Sequence, residues 1–312
     1  MATEKKEMRT VYVETLIDLA RANEDIVVLE ADLMKATGTG AFAKAFPARA
    51  INVGVAEANM VGVASGLSSV GKIPFAATFG SFAGRRDYDQ FFLSANYARL
   101  NVKLVGTDPG VMAKYNGGTH MPFEDLALMR AIPKLVIVEP SDPTSLERIL
   151  RLAAAYYGCV YIRLQRTPAN VLYGPDETFE FGKAKLLREG KDVLLVALGS
   201  IMVNAALAAA DELAASGIRA TVLDAISLKP LDFAAILEHA TRTGRVVTCE
   251  NAQASGGLGS AVAEALLEAG VSAKFARIGV KDEFGEVGTV EYLVERYGLG
   301  SSHIVAAAKG LM

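Results

Sequence analysis

The chain reads as an α/β protein of two domains, each a mostly parallel sheet flanked by helices. Three observations predict this. Short apolar runs alternate with helix-period segments almost throughout the 312 residues, and parallel strands need such crossover connections. The runs are rich in Val, Ile and Leu with little polar alternation, as strands covered on both faces are. The alternation pauses once, at the polar, Pro-bearing stretch TPANVLYGPDETFEFGKAK (167–185), and then resumes. We therefore divide the chain into 1–170, a linker at 171–190, and 191–312, with the break near residue 185.

Taken in order, the first domain opens with a helix at 9–22, then strand 26–29 (IVVL), helix 40–46 and strand 51–55. Helix 57–70, strand 73–79, helix 84–98 and strand 102–106 (VKLVG) follow. Helix 124–131, strand 135–138 (LVIV), helix 142–156 and strand 159–163 complete it. The second domain repeats the scheme with strand 193–198, helix 201–215, strand 219–223, helix 231–241, strand 245–248, helix 258–269 and strand 274–278. Helices at 289–297 and 301–311 close the chain. Each assignment rests on strand-length apolar runs or on apolar residues at helical spacing.

Composition narrows the function. Apolar residues reach 51% against 21% charged, which points to surface buried against a partner chain. No apolar run has membrane-spanning length, and the opening MATEKKEMRT lacks the apolar core of a signal peptide. Cys159 and Cys249 lie far apart in apolar runs, so neither a disulfide framework nor a cysteine metal site is expected, and a cytoplasmic location fits. The net charge of −3 without a basic block argues against nucleic acid. Anionic metabolites remain open, because they need only a local Arg or Lys cluster.

Glu57 is the strongest functional lead. It is the only charged residue in NVGVAEANMVGVASGL (52–67). A carboxylate among Gly, Ala, Val and Met is costly unless paired, and such surroundings make an acid hold its proton more readily. It can then share that proton with a nitrogen heterocycle. A plainer reading is an acid favoured by a helix N-terminus. Three segments should lie near it at the carboxyl edge of the first sheet: 31–40, 76–90 and 106–126. They bring Asp32, Phe79, Phe82 and His120, and an aromatic wall beside an acid suits a flat heteroaromatic ring. Among three histidines, His120 stands out in its NGGT loop, whereas His239 and His303 read as helix-surface residues. In the second domain, VVTCENAQASGGLGSAVAEAL has the wrong glycine spacing for a dinucleotide site and reads as a tight strand-to-helix turn.

The segments GVAEANMVGVASGL, ATFGSFAGRRDYDQ, THMPFEDLALMRAIP, EPSDPTSLE, YIRLQR and LDAISLKPLD occur in one order along the chain. In that order and spacing the chain resembles the C-terminal two-thirds of transketolase, from the pyrimidine-binding domain to the end. The resemblance implies thiamine diphosphate as cofactor. Glu57 would hydrogen-bond N1′ of its aminopyrimidine and favour the imino tautomer that takes the thiazolium C2 proton. Phe79 and Phe82 would flank the pyrimidine, with Asp32 and Leu33 beside the cofactor. His120 would face the substrate, and Arg9, Thr37 and Arg166 would meet the sugar-phosphate end. The reaction implied is transfer of a two-carbon ketol unit from a ketose phosphate to an aldose phosphate.

Several positions depart from the family pattern. Asp108 stands where a histidine is usual, Asn116 where an acid is usual, and Ala36 where a serine is usual. These changes alter the phosphate end, and an unusual branched donor such as apulose 4-phosphate is expected. Arg85 replaces a frequent aromatic, and Arg86 matches a common arginine without an assigned role. The chain has no Gly-Asp-Gly motif, which in thiamine enzymes helps hold Mg2+ and the diphosphate. That half is expected from a partner subunit in an α₂β₂ assembly, with no metal held by this chain and the second domain serving as interface scaffold. Two rival readings are the E1 β subunit of a 2-oxoacid dehydrogenase, and a non-catalytic regulatory subunit. Deoxyxylulose-phosphate synthase, a third relative, is normally one long chain.

Overall fold

The computed structural model describes residues 5–312, which form two compact units. The first comprises the described residues through Pro109 together with Leu128–Glu180; the second comprises Gly110–Ala127 and Phe181–Met312. The sequential division at 171–190 therefore departs from the packing at one place, the segment 110–127.

In the first unit the elements are β1 (Lys5–Glu7), α1 (Met8–Ala22), β2 (Ile26–Glu30), α2 (Met34–Thr37), α3 (Gly40–Ala45) and β3 (Ala50–Asn52). They continue with α4 (Glu57–Ser69), β4 (Ile73–Phe79), α5 (Gly80–Arg85), α6 (Tyr88–Gln90) and β5 (Lys103–Thr107). Then come α7 (Asp125–Arg130), which spans the point where the units divide, β6 (Val136–Val138), α8 (Pro143–Ala155), β7 (Val160–Leu164) and β8 (Pro168–Asn170). The main sheet runs β6-β7-β5-β4-β2-β3 and is parallel throughout. Every residue of β2, β5 and β7 is buried, as expected of strands covered on both faces. Register aligns Glu30 with Asn52 and Ala77, and Phe79 with Thr107, so the carboxyl ends of β2 to β5 share one edge. Helix α1 buries Met8, Tyr12 and Leu16, a stripe at four-residue spacing. Helix α8 starts on a capping box of Asp142 and Ser145 with Pro143 in the first turn. β1 and β8 pair antiparallel, outside the main sheet.

The second unit holds β9 (Lys185–Arg188), β10 (Val193–Ala197), α9 (Gly199–Ala215), β11 (Ala220–Asp224), β12 (Ser227–Lys229), α10 (Phe233–Thr243), β13 (Arg245–Gln253), α11 (Leu258–Glu268), β14 (Lys274–Val280), α12 (Val290–Arg296) and α13 (Ser301–Gly310). Its sheet runs β14-β13-β10-β11-β9, with only β9 antiparallel. The 110–127 segment is tied to this unit by name. Val111 N–H donates to Asn251 Oδ1 (3.0 Å), Gln253 N–H to the Phe123 carbonyl (2.7 Å), and the Phe123 and Tyr297 rings meet edge-on at 5.2 Å. Gly110 permits the approach: its φ is +49°, and a Cβ there would fall 2.1 Å from Asn251 Oδ1.

Three expectations are corrected. The helix expected at 84–98 is broken into α5, α6 and a π-helical turn over Phe91–Tyr97. It begins early, at Gly80, and turns at Arg86 and Asp87. The physical gain is local: the break directs Arg86 to Glu57 and buries Asp87. The strand expected at 51–55 ends at Asn52, where Gly54 takes a left-handed conformation. His239 is buried, not surface-facing, and its Nδ1 lies 2.9 Å from Arg242 Nη2. The glycine-rich turn after β13 is the tight strand-to-helix connection expected: Glu250 accepts hydrogen bonds from Leu258 and Gly259 N–H (2.7 and 2.8 Å) at the start of α11.

Candidate active site

The site in the first unit grows from the ends of β2, β4 and β5. Glu57 opens α4 and is 5% exposed. It serves the helix N-terminus and keeps a specific partner at once. Arg86 Nη1 donates to Glu57 Oε1 at 2.9 Å. The same guanidinium lies over the Phe82 ring, 4.2 Å from its centroid, a cation–π contact that holds the arginine in place. Phe82 and Phe79 face each other at 5.9 Å between centroids with a 57° tilt. Beyond Phe79 stands Arg166, its Cζ 5.2 Å from that ring. These side chains form a continuous wall from a buried acid, across two aromatic rings, to a second arginine.

At its far end both expected anion-binding arginines converge on one atom. Arg166 Nη1 and Arg9 Nη1 donate to the Ala36 carbonyl at 2.8 and 3.3 Å. Each is also paired with an acid of this chain. Arg166 grips Asp108 with two parallel N–H donors, Nε at 2.8 Å and Nη2 in a closer contact, the fork geometry that arginine alone provides. Arg9 pairs with Glu7 at 2.5 Å. Asp32 is exposed and left-handed (φ +63°), its Oδ1 accepting from Asn52 Nδ2 at 3.3 Å. Leu33 precedes α2, half-buried.

Thr37, expected at the sugar-phosphate end, sits beside Glu30. It is buried, and its hydroxyl donates to Glu30 Oε1 at 2.6 Å, alongside Thr39 at 2.7 Å. Burial pushes the Glu30 carboxyl up to about 7 in spite of these two donors. His120 and Asn116 belong to the segment packed with the second unit. Asn116 is exposed, and His120 is half-buried with Nδ1 2.8 Å from Thr119 Oγ1.

Two residues of this region carried no sequence-based role. Arg86 is the partner of Glu57. Asp87 is fully buried, and neither carboxylate oxygen has a hydrogen-bond partner. Burial, then the nearby Glu57 charge, push it up to about 8, while Arg86 pulls the other way. The signal for both was the charged triplet Arg85-Arg86-Asp87 interrupting an otherwise small and aromatic run.

Comparison with known proteins defines the class. The model of the transketolase pyrimidine-binding domain matches residues 4–170, and that of the transketolase C-terminal domain matches 182–304. The chain belongs to the transketolase family and corresponds to its C-terminal section. It is 51% identical to a 6-deoxy-6-sulfo-D-fructose transketolase subunit, SqwH, of Clostridium sp. (strain MSTE9), over 96% of this chain and 93% of the relative. It is 41% identical to a putative transketolase C-terminal section of Methanocaldococcus jannaschii, over 96% and 94% of the two chains. Among solved structures it is similar to a split gene transketolase described as an inactive beta4 tetramer, with a TM-score of 0.89, 46% identity, and coverage of 98% and 97%.

Proposed function

We propose that this chain is the β-type subunit of a thiamine-diphosphate-dependent transketolase. It moves a two-carbon ketol unit from a ketose phosphate, or a related anionic ketose, to an aldose phosphate. The observation that carries the reading is the Glu57 carboxylate, buried at the foot of α4 and flanked through Arg86 by the Phe82 and Phe79 rings.

These residues fit the aminopyrimidine half of the cofactor: an enclosed acid for a ring nitrogen, and aromatic faces for a flat ring. They do not fit its metal end. Among the described residues no group of three His, Cys, Asp or Glu could hold a metal ion. Because the sequence has no Gly-Asp-Gly motif, Mg2+ and the diphosphate are proposed to be held by a partner subunit in an α₂β₂ assembly. When bound, thiamine diphosphate supplies the electron sink for breaking a carbon–carbon bond beside a carbonyl. This chain's part is tautomer control and positioning. Glu57 holds a proton at the pyrimidine nitrogen. Phe79 and Phe82 fix the ring, with Asp32 and Leu33 beside it. His120 and Asn116 are assigned to the sugar on the sequence motif that carries them.

The donor's far end is met by Arg9, Arg166 and Asp108, with Thr37 acting from beneath through Glu30. Because Asp108 already neutralises Arg166, and Glu7 neutralises Arg9, this end offers little free positive charge to a phosphate dianion. An unusual donor follows: a sulfonate-ended ketose of the kind named for the 51%-identical relative carries a single negative charge and suits this end, and a branched ketose such as apulose 4-phosphate is the second reading, set apart by its carbon skeleton and not by its phosphate. The test is reconstitution with a Gly-Asp-Gly-bearing partner and turnover of xylulose 5-phosphate, apulose 4-phosphate and 6-deoxy-6-sulfofructose. Expected is cofactor-dependent transfer only with the partner, and preference for one of the latter two donors. Activity of the lone chain would remove the split-subunit reading, and preference for xylulose 5-phosphate would remove the unusual donor.

A further inference from the structure

Glu30 ends β2, a strand buried along its whole length, and is itself fully buried. A carboxyl in such a place needs hydrogen-bond donors. Its side-chain donors come from one stretch of chain, the turn over 33–39. The Thr37 hydroxyl donates to Oε1 at 2.6 Å, and the Thr39 hydroxyl donates to the same oxygen at 2.7 Å. Each hydroxyl has one proton to give. Both bonds are shorter than the 3.0 Å between the two hydroxyl oxygens and the 3.2 Å from Thr37 to the Leu33 carbonyl. Both protons therefore point to Glu30. The turn needs this hold, because α2 supplies a single turn of helix without a side-chain cap at Leu33, too short to stand by itself.

The residues on either side of Thr37 meet the two arginines. Ala36 turns its carbonyl to Arg166 Nη1 at 2.8 Å and to Arg9 Nη1 at 3.3 Å. Gly38 lies on the stem of Arg9: a Cβ there would fall 2.9 Å from Arg9 Cγ, and its φ is +85°. The guanidinium is a rigid fork. An arginine that gives one N–H to a fixed carbonyl therefore has the direction of its remaining N–H groups set as well. Arg166 already commits Nε to Asp108, and Arg9 commits Nη2 to Glu7. We propose that Glu30 is a positioning residue for donor recognition. Through Thr37 and Thr39 it holds the Ala36 carbonyl against Arg9 and Arg166, and so fixes which N–H groups the pair presents to the donor's anionic end. The carbonyl oxygen is also a partial negative charge. Held there, it lowers the positive potential of the two arginines and favours a singly charged end over a dianion. That the arginines meet a donor rests on the transketolase reading above; the anchoring of the turn by Glu30 does not.

The experiment has two arms. In the full-length chain alone, hydrogen exchange read by mass spectrometry follows the backbone of 33–39. Glu30→Ala should speed exchange there by about tenfold or more, with β10 of the second unit unchanged. Glu30→Gln keeps an oxygen acceptor for both hydroxyls and should exchange as wild type does. No local change in Glu30→Ala, or the same change in Glu30→Gln, overturns the anchoring whatever the enzyme does. If Glu30→Ala does not fold, Thr37→Val removes one of the two donors from the other side and must show the same local loss. In the complex reconstituted with its partner, Glu30→Ala should raise the donor KM by about tenfold and leave kcat at saturating donor within about twofold. Glu30→Gln should bring KM back near the wild-type value. A loss confined to kcat, or a KM that Glu30→Gln does not restore, overturns the positioning role. The preference for a sulfonate-ended ketose over xylulose 5-phosphate should narrow in Glu30→Ala, and an unchanged preference overturns the charge selection. Absence of ketol transfer by the wild-type complex overturns the transketolase reading and, with it, the donor as the arginines' target; the anchoring is then decided by the exchange arm.

Discussion

The two units are built on the same plan and differ in how they treat buried polar groups. In the second unit buried acids are tied to backbone N–H donors. Asp232 caps α10, Asp224 accepts from Ile226, and Glu250 accepts from Leu258 and Gly259. In the first unit Glu30 keeps one buried oxygen open, Asp87 keeps two, and Tyr12, Thr78, Ser81 and Thr107 keep buried hydroxyls without partners. Among the described residues the second unit has one comparable orphan, Thr248. Groups left unmatched in an otherwise satisfied protein mark where stability has been yielded to chemistry. By this measure the unmatched buried groups concentrate in the first unit.

That contrast can be broken by mutation. Glu57→Ala in the reconstituted complex should lower kcat by about 10³-fold with little change in folding, the loss expected of a group acting on a proton in the reaction. If turnover survives, the buried acid of the first unit is structural. Glu250→Ala should do the reverse. It strips two buried N–H groups of their acceptor and should cost about 2–3 kcal/mol in denaturant unfolding, with kcat of the remaining folded enzyme near normal. Arg166→Lys should raise the donor KM by about tenfold with a smaller effect on kcat, because an ammonium cannot reproduce the two-pronged grip on Asp108. The smallest effect concerns pH. Glu30, raised to about 7, contributes its stability fully below the unfolded value near 4.5 and loses it as pH rises through about 7. The Tm of wild type should therefore fall relative to Glu30→Gln over that window by a few degrees, and parallel profiles would mean Glu30 is as well matched as Glu250.

Much of this was legible beforehand because it is written in local pattern. The parallel sheets followed from apolar runs alternating with helices, and Glu57 stood out as one charge in a neutral helix. Phe79 and Phe82, three apart in one segment, did come together as a ring pair. What escaped was set by contacts distant in sequence. Helical periodicity runs on through 84–98, and only Glu57, 29 residues upstream of Arg86, gives a reason for the break at Arg86. Thr37 is polar and looks outward in the sequence, yet the buried Glu30 draws its hydroxyl inward. The pairing of Arg166 with Asp108, 58 residues apart, turned two separate expectations into one neutralised pair.

The excursion of Gly110–Ala127 has a consequence for how such a chain can be cut or recombined. Those residues leave the first unit's path, lay Val111, Met112, Met121 and Phe123 into the interior with the second unit's residues, and return. A truncation near residue 180 would shed their cover and expose a greasy loop within the remaining fragment, inviting aggregation. Shuffling the halves between homologues must therefore move the excursion together with the C-terminal half, as one cassette encoded in two places.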